Sequence, residues 1–487
     1  MTVLVPKPEL PASVLHWLGE ESRTIPPTFG EVVVIPIVHD WGPMGSEVPL
    51  RESVVLNYPQ FVGKFGNGDT PGHDAIAGAL LGMGVTGGGG AGGVIPYRMA
   101  TGAAAEATAT LDNTAAADSL VLTAIYKGTR GNDISVVHED DPASAGNDRL
   151  RVLFQGATIE RYTYPEGDVA ALAAAINARP SAWVTAASPA TGVALAHGTF
   201  PLGGGNNGDV LTAAEWLSAQ TALEFAEAGI FSPFNLVDVG IKAQLRAWLQ
   251  TMAQNMLPMR GVFGGAADET VDAAIADAAL ARDEHLIRLG VGVYHDDMLG
   301  KDLSTAQLAP RAAGVLAARG LKSSLTNADF GGLSPVGDTL PDYQELVALR
   351  NGGVTSFKRV NRAESELAIA EGVTTFNARN VAGKPYELFS EPRIIGLLDT
   401  IQRRITKWGD ERIVGDVTNT QDTRDAVQVE VTNVINEYVA DNLIEPAGIQ
   451  VYVHPSGPGG DDSTIPYEFG FKPTRTVKYL VGQGRVR

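Results

Sequence analysis

The stretch MRGVFGGAADETVDAAIADAALARDEHLIRLGVGVY, residues 259 to 294, decides the fold class. Met259 to Phe263 reads as a strand, Thr270 to Arg282 as a helix and Leu286 to Tyr294 as a second strand. A crossover of this kind makes the two strands parallel. The pattern continues on both sides. Upstream, Asn235 to Val239 reads as a strand and Ile241 to Met256 as an amphipathic helix. Downstream come helices Ala306 to Arg319 and Tyr343 to Leu349, then strand Val354 to Val360. Such alternation predicts a three-layer α/β domain over residues 209–376, built on a largely parallel sheet.

Towards the N-terminus the character changes. Residues 1–29 read as an extended arm, because Pro6, Pro8, Pro11, Pro26 and Pro27 block helices and ladder donation. Val3, Leu4 and Val5 form a short strand candidate with nothing local to pair with. Residues 30–117 form the first part of the core. They hold the β-branched run Glu31 to Asp40, which ends in the turn Trp41-Gly42-Pro43. A helix over Asp74 to Met83, a Gly-rich patch from Gly87 to Gly93 and a strand over Val94 to Arg98 follow.

Residues 118–208 read as an inserted, mainly β domain. Leu120 to Tyr126, Asp133 to His138, Leu150 to Phe154 and Thr158 to Tyr164 are closely spaced strands, followed by a helix over Val169 to Ala178. An Ala/Thr-rich stretch, Thr101 to Ala117, and the run Gly203 to Gly208 flank it. Residues 377–481 read as a C-terminal α+β domain. Ile394, Leu397, Leu398, Ile401 and Ile405 share one helical face. Val427, Val431, Val434, Ile435, Tyr438 and Val439 share another, with Asp422 as N-cap and Pro446 past the end. Strands over Ile449 to Val453, Tyr467 to Phe471 and Arg475 to Val481 follow, and residues 482–487 form a basic C-terminal arm. The chain therefore reads as multi-domain, α/β with β and α+β parts.

With 487 residues, 44% of them hydrophobic, a sizeable core can form. The formal charge is −19, which does not draw the chain to nucleic acid or anionic lipid. That charge is uneven. From Phe376 onward 13 basic and 15 acidic residues nearly cancel, and from Lys472 there are five basic residues and no acidic one. The absence of cysteine removes disulfides, thiolate catalysis and Cys-based metal sites, and fits cytosolic production. Neither a signal peptide nor a membrane-spanning run is expected.

Motifs for chemistry are incomplete. The Gly87 to Gly93 patch lacks the Gly-Lys-Ser/Thr ending of a phosphate loop, and Lys64 to Thr70 has its Lys and Thr in the wrong order. His285 with Asp283 and Glu284, and His295 with Asp296 and Asp297, have neither helical His-pair spacing nor a Cys partner, so acidic turns explain them and no metal is expected. Asp461-Asp462 lacks a calcium-loop pattern. Asn235 to Gly240 resembles the strand end that carries the catalytic Asp of subtilisin-like proteases, but the His and Ser stretches of a triad are missing. No catalytic residue and no cofactor is assigned.

Taken in order, several segments resemble the tail sheath protein of contractile bacteriophages and related injection machines. They are Val33 to Pro43 with Phe61 to Gly66, Ala124 to Val136, and the C-terminal series Glu391-Pro-Arg-Ile-Ile, Lys407-Trp408, the Val-spaced helix and the terminal strands. The resemblance implies a subtilisin-like α/β domain without protease activity, an inserted β domain and a C-terminal sheath domain. It implies a homo-oligomeric helical array around a tail tube protein, with baseplate and tail terminator proteins as further partners. Such a virion component would be assembled in the host cytoplasm, and its contraction would drive the tube through the host envelope. Neighbours would exchange strands through Val3, Leu4 and Val5 and through Val477, Tyr479, Val481 and Val486. On the helix from Ile394 to Lys407, Arg403 and Lys407 project opposite the Ile/Leu face with Arg393 and Arg404 beside them, either as an ordinary solvated face or as a basic stripe towards the tube. A non-contractile phage polymer and an α/β hydrolase are the alternatives.

Overall fold

A computed structural model of the chain describes residues 31–474 apart from 46, 51, 68, 86–92, 114–117, 180–182, 189–193, 225, 256, 281, 338–339, 360–366, 377–388, 456–462 and 464. The chain divides into two compact units. One gathers Met1–Ile35, Ala77–Ile95 and Glu224–Arg487, the other Pro36–Ile76 and Pro96–Leu223.

The first unit is built on a six-stranded sheet. In spatial order its strands are Val354–Thr355, Leu286–Leu289, Arg260–Phe263, Ile230–Phe231, Val33–Ile37 and Val94–Arg98. The ladders from Val33 through Ile230, Arg260 and Leu286 to Val354 are parallel. These strands are buried along their whole length, so both sheet faces need covering, which the apolar runs had signalled. Helix Val239–Gln254 supplies Leu245, Trp248, Leu249 and Met252, with Trp248 edge-on to Phe231 at 5.4 Å. Helix Thr305–Arg319 is buried from Thr305 to Ala317 except at Gln307. Its small residues admit a second helix at backbone distance: a Cβ on Gly314 would lie 2.1 Å from the Ala79 carbonyl oxygen, and one on Gly82 2.3 Å from that of Arg311.

Two features of this unit depart from the sequence reading. No strand forms at 235–239. Asn235 sits at φ 52 and Asp238 caps helix Val239–Gln254, accepting from the Ile241 N–H at 2.8 Å. The protease-like Asp is therefore a helix cap. The run Leu286 to Tyr294 is two strands. Leu286–Leu289 lies in the parallel sheet, whereas Val293–Asp296 joins an antiparallel sheet with Lys301–Ser304 and Leu333–Pro335. Gly292, at φ 111, lies between them. In the same way Val354 to Val360 divides into Val354–Thr355 and Phe357–Arg359, and Val360 lies outside the described residues.

A buried ionic network pins two helices to the sheet. Arg288, on strand Leu286–Leu289, is 1% exposed and donates to Asp277 at 2.7 Å and to Glu269. Asp277, on helix Val271–Leu280, also accepts from Arg246 at 2.9 Å and lies 3.5 Å from Lys242, both on helix Val239–Gln254.

The second unit is mainly β. Strands Glu106–Asp112, Asp118–Lys127 and Val184–Ala187 form one antiparallel sheet. Ala157–Pro165, Asn147–Phe154, Ile134–Asp140 and Gly198–Pro201 form another. Alternate residues point inward, as in Ile134, Val136 and His138, and join helix Val169–Asn177 in a single core. The unit is wider than residues 118–208. Strand Glu106–Asp112 lies within the Ala/Thr-rich stretch read as a flank, and helices Tyr58–Phe65 and Ala213–Leu223 were not anticipated. Trp41, read as a turn residue, is 5% exposed and stacks on Trp183 at 5.4 Å.

Replacing Asp277 by Ala should destabilise the first unit by about 3–5 kcal/mol, because Arg288 and Arg246 would stay buried without that carboxylate. Urea unfolding followed by tryptophan fluorescence measures it, and a change below about 1 kcal/mol would contradict the network's role.

Candidate assembly surface

Helix Pro392–Arg412 begins with Pro at its first position, where a missing N–H costs nothing. Its opening turns are buried on every side, from Pro392 to Leu397 and again at Asp399. Three cations from its surroundings or its own start hold it. Arg260, 1% exposed and paired with Glu31, donates to the Pro392 carbonyl at 3.2 Å and fills the space that a Cβ on Gly396 would need. His285 lies 3.2 Å from Asp283 and 3.1 Å from Asp399. Burial pushes its imidazole down, but the hydrogen bonds and charges of Asp283 and Asp399 outweigh that and push it up to about 10. Arg393 is 2% exposed and donates to Glu391 at 3.2 Å, to the Leu321 carbonyl at 3.4 Å and to the Thr474 carbonyl.

The basic stripe is accordingly narrower than the helical projection implied. Arg393 turns inward, because the helix's first turns are enclosed by the unit's own body. Arg403 is half-buried and donates to the Pro258 carbonyl. Arg404 bridges to the next helix, Gln421–Ala440, pairing with Glu437 at 2.6 Å and lying 5.6 Å over the Tyr438 ring. Lys407 is exposed, with Glu411 at 4.0 Å one turn on.

Helix Gln421–Ala440 is capped by Thr420, whose hydroxyl accepts from the Thr423 N–H; Asp422 falls in the first turn instead. Val427, Val431, Val434, Ile435 and Tyr438 are buried against Leu397, Ile401 and Ile405. A terminal hairpin then pairs Ile444–Val453 with Tyr467–Pro473. Pro446 lies inside its first strand, at a register shift between Glu445 and Gln450. Tyr467, Phe469 and Phe471 line one face at ring spacings of 6.4 and 6.2 Å, packed on the two helices but only half-buried. Among the described residues the hairpin pairs with no other strand. The Thr474 hydroxyl, 2.9 Å from the Asn442 carbonyl and 3.1 Å from that of Leu443, joins Arg393 in fixing the strand's exit. Val477, Tyr479, Val481 and Val486 lie beyond it, outside the described residues, as do Val3, Leu4 and Val5.

The incomplete chemical motifs have structural explanations where they are described. Asp296 is buried in an ion pair with Arg311, and His295 meets Asp302 at 2.7 Å on the surface. Lys64 donates to the Glu52 carbonyl. Residues 87–92 and Asp461-Asp462 lie outside the described residues. One group the sequence reading passed over, His138 with Asp148 and His197, comes together across strands. Its spacing carries no signal until the strand register is known.

No protein-family model matches the sequence, and no curated protein matches it. Solved structures do. A sheath tail protein from Desulfitobacterium hafniense superposes with a TM-score of 0.69 at 19% identity, covering 92% of this chain and 97% of the other. This chain has the tail sheath fold. A second sheath tail protein, from Listeria innocua, superposes with a TM-score of 0.67 at 15% identity, over 91% of this chain and 95% of the other. The sheath fold thus persists where identity is low.

The His285 contact sets a pH dependence. A pKa raised in the folded state makes the stabilisation complete below the unfolded value of about 6.5 and lost as pH climbs through about 10. His285→Gln should therefore lower the melting temperature most at pH 6, with the gap to wild type closing towards pH 10. A gap independent of pH in thermal melts would contradict a charged His285.

Proposed function

We propose that this chain is a structural, non-enzymatic subunit of a contractile tail sheath. It polymerises as a helical array around a tail tube and contracts to drive the tube through a host envelope. The terminal hairpin carries this reading. Its two strands have unpaired outer edges among the described residues, and its aromatic face is half-covered. An open edge offers backbone donors and acceptors to another chain. Strands containing Val3 to Val5, and Val477 to Val486, donated by neighbours, would satisfy them by β-augmentation. A head-to-tail exchange that does not close yields a helix of subunits.

On this reading the α/β part is subtilisin-like without a triad, and the β unit is an insertion in the sheath core. The array lies in the phage virion, assembled in the host cytoplasm, with the tail tube, baseplate and tail terminator proteins as partners. Contraction is release of a kinetically trapped arrangement into a better-packed one, the donated strands keeping subunits linked. The tube-facing role contracts to Lys407, with Arg403 and Arg404 behind it; Arg393 drops out because it is buried. Exposed ion pairs contribute only about 0–1 kcal/mol each, which suits a contact that must break.

Deleting residues 482–487 should abolish tubes in electron micrographs while leaving a folded subunit; undiminished polymerisation would overturn the strand-exchange reading. Lys407→Glu should weaken assembly on tubes severalfold and spare tube-free polymers, and equal loss of both in sedimentation assays would exclude a tube contact there.

A further inference from the structure

In the β unit, His138 on strand Ile134–Asp140 lies opposite Leu150, while Asp140 lies opposite Asp148 on strand Asn147–Phe154. On its other side His138 lies opposite Gly198. This register sets Asp148 diagonal to His138 and brings His197, the residue before Gly198, to the same corner. His138 and Asp148 are 1% and 2% exposed. The His138 Nε2 is 3.5 Å from Asp148 Oδ2, and the His197 Nε2 is 3.7 Å from Asp148 Oδ1. One donor atom from each residue falls within 4.8 Å of the others.

The surroundings orient these donors towards a shared point. His138 Nδ1 lies 3.1 Å from the Ala196 carbonyl, which can only accept, so Nδ1 carries the proton and Nε2 is left as an acceptor 3.5 Å from Asp148 Oδ2. The Tyr164 hydroxyl, 2.8 Å from Nε2, donates to it. Asp148 Oδ2 is buried with no hydrogen-bond partner, a costly state for a carboxylate oxygen.

We propose that His138 Nε2, Asp148 and His197 Nε2 bind a divalent first-row transition ion, Zn²⁺ foremost. Two imidazoles and a carboxylate are a three-ligand set for zinc, with water completing the tetrahedron. Donors about 2.0–2.1 Å from one zinc lie roughly 3.3–3.5 Å apart, close to the separation of His138 Nε2 from Asp148 Oδ2. The two separations that involve His197 close when its side chain, 48% exposed, turns inward. The backbone carbonyl on His138 Nδ1 is the outer-shell partner that metal-bound histidines require. The ion satisfies Asp148 Oδ2, displaces Tyr164 from Nε2 and ties two neighbouring strands to the segment entering Gly198–Pro201.

The test uses the full chain, stripped with chelator and titrated with Zn²⁺ by calorimetry and with Co²⁺ by visible absorption at neutral pH. We expect one ion per chain and a tetrahedral Co²⁺ spectrum. His197→Ala, at a half-exposed position, should weaken binding at least about tenfold. Asp148→Asn should do the same, and Tyr164→Phe should retain binding. Absence of saturable binding would overturn the proposal. Stoichiometric binding indifferent to His197→Ala would overturn it too.

Discussion

Three cationic side chains taken out of water, Arg260, His285 and Arg393, fix helix Pro392–Arg412 in its unit, and the C-terminal layer depends on them. Each has its partners in place: Glu31 and the Pro392 carbonyl, Asp283 and Asp399, Glu391 and the Thr474 carbonyl. Buried ion pairs of this kind add little net stability, yet removing one partner costs several kcal/mol. They act as a register. The helix has one seat, and helix Gln421–Ala440 and the terminal hairpin pack upon it. Arg393 does this twice, since it anchors the helix start and the end of strand Tyr467–Pro473.

That arrangement leaves a hairpin whose edges, among the described residues, are unpaired and whose aromatic face is half-covered. A folded monomer blunts such edges with charge, proline or bulges. Here Pro446 and the register shift disturb only the first part of one strand. The remaining ladder, Gln450 to Val453 against Tyr467 to Gly470, is regular, and among the described residues its outer edges are unpaired. Under the proposed strand exchange, strong backbone pairing between subunits and weak exposed charges elsewhere would separate what must persist during rearrangement from what must let go.

Much of this was legible in the sequence because burial leaves a period. Continuous apolar runs between helices signalled parallel strands, as at Met259 to Phe263, and alternation signalled the β unit, as at Ile134 to His138. Other features depend on distant chain segments. Gly292 breaks an apolar run that composition reads as one strand, and Asn235 adopts a positive φ that turns Asp238 into a helix cap. Trp41 looks like a turn residue until Trp183 stacks on it. The helical projection placed Arg393 on the surface because a projection treats everything beyond the helix as solvent. The His138, Asp148 and His197 corner needs a strand register that no local pattern encodes.

The most direct test is a cryo-electron microscopy map of the polymer formed by the full chain. Strand-exchange assembly predicts backbone density for added strands along both outer edges of the hairpin Ile444–Val453 and Tyr467–Pro473, traceable to neighbouring subunits' termini. A helical polymer in which those edges stay bare, with subunits joined elsewhere, would contradict it.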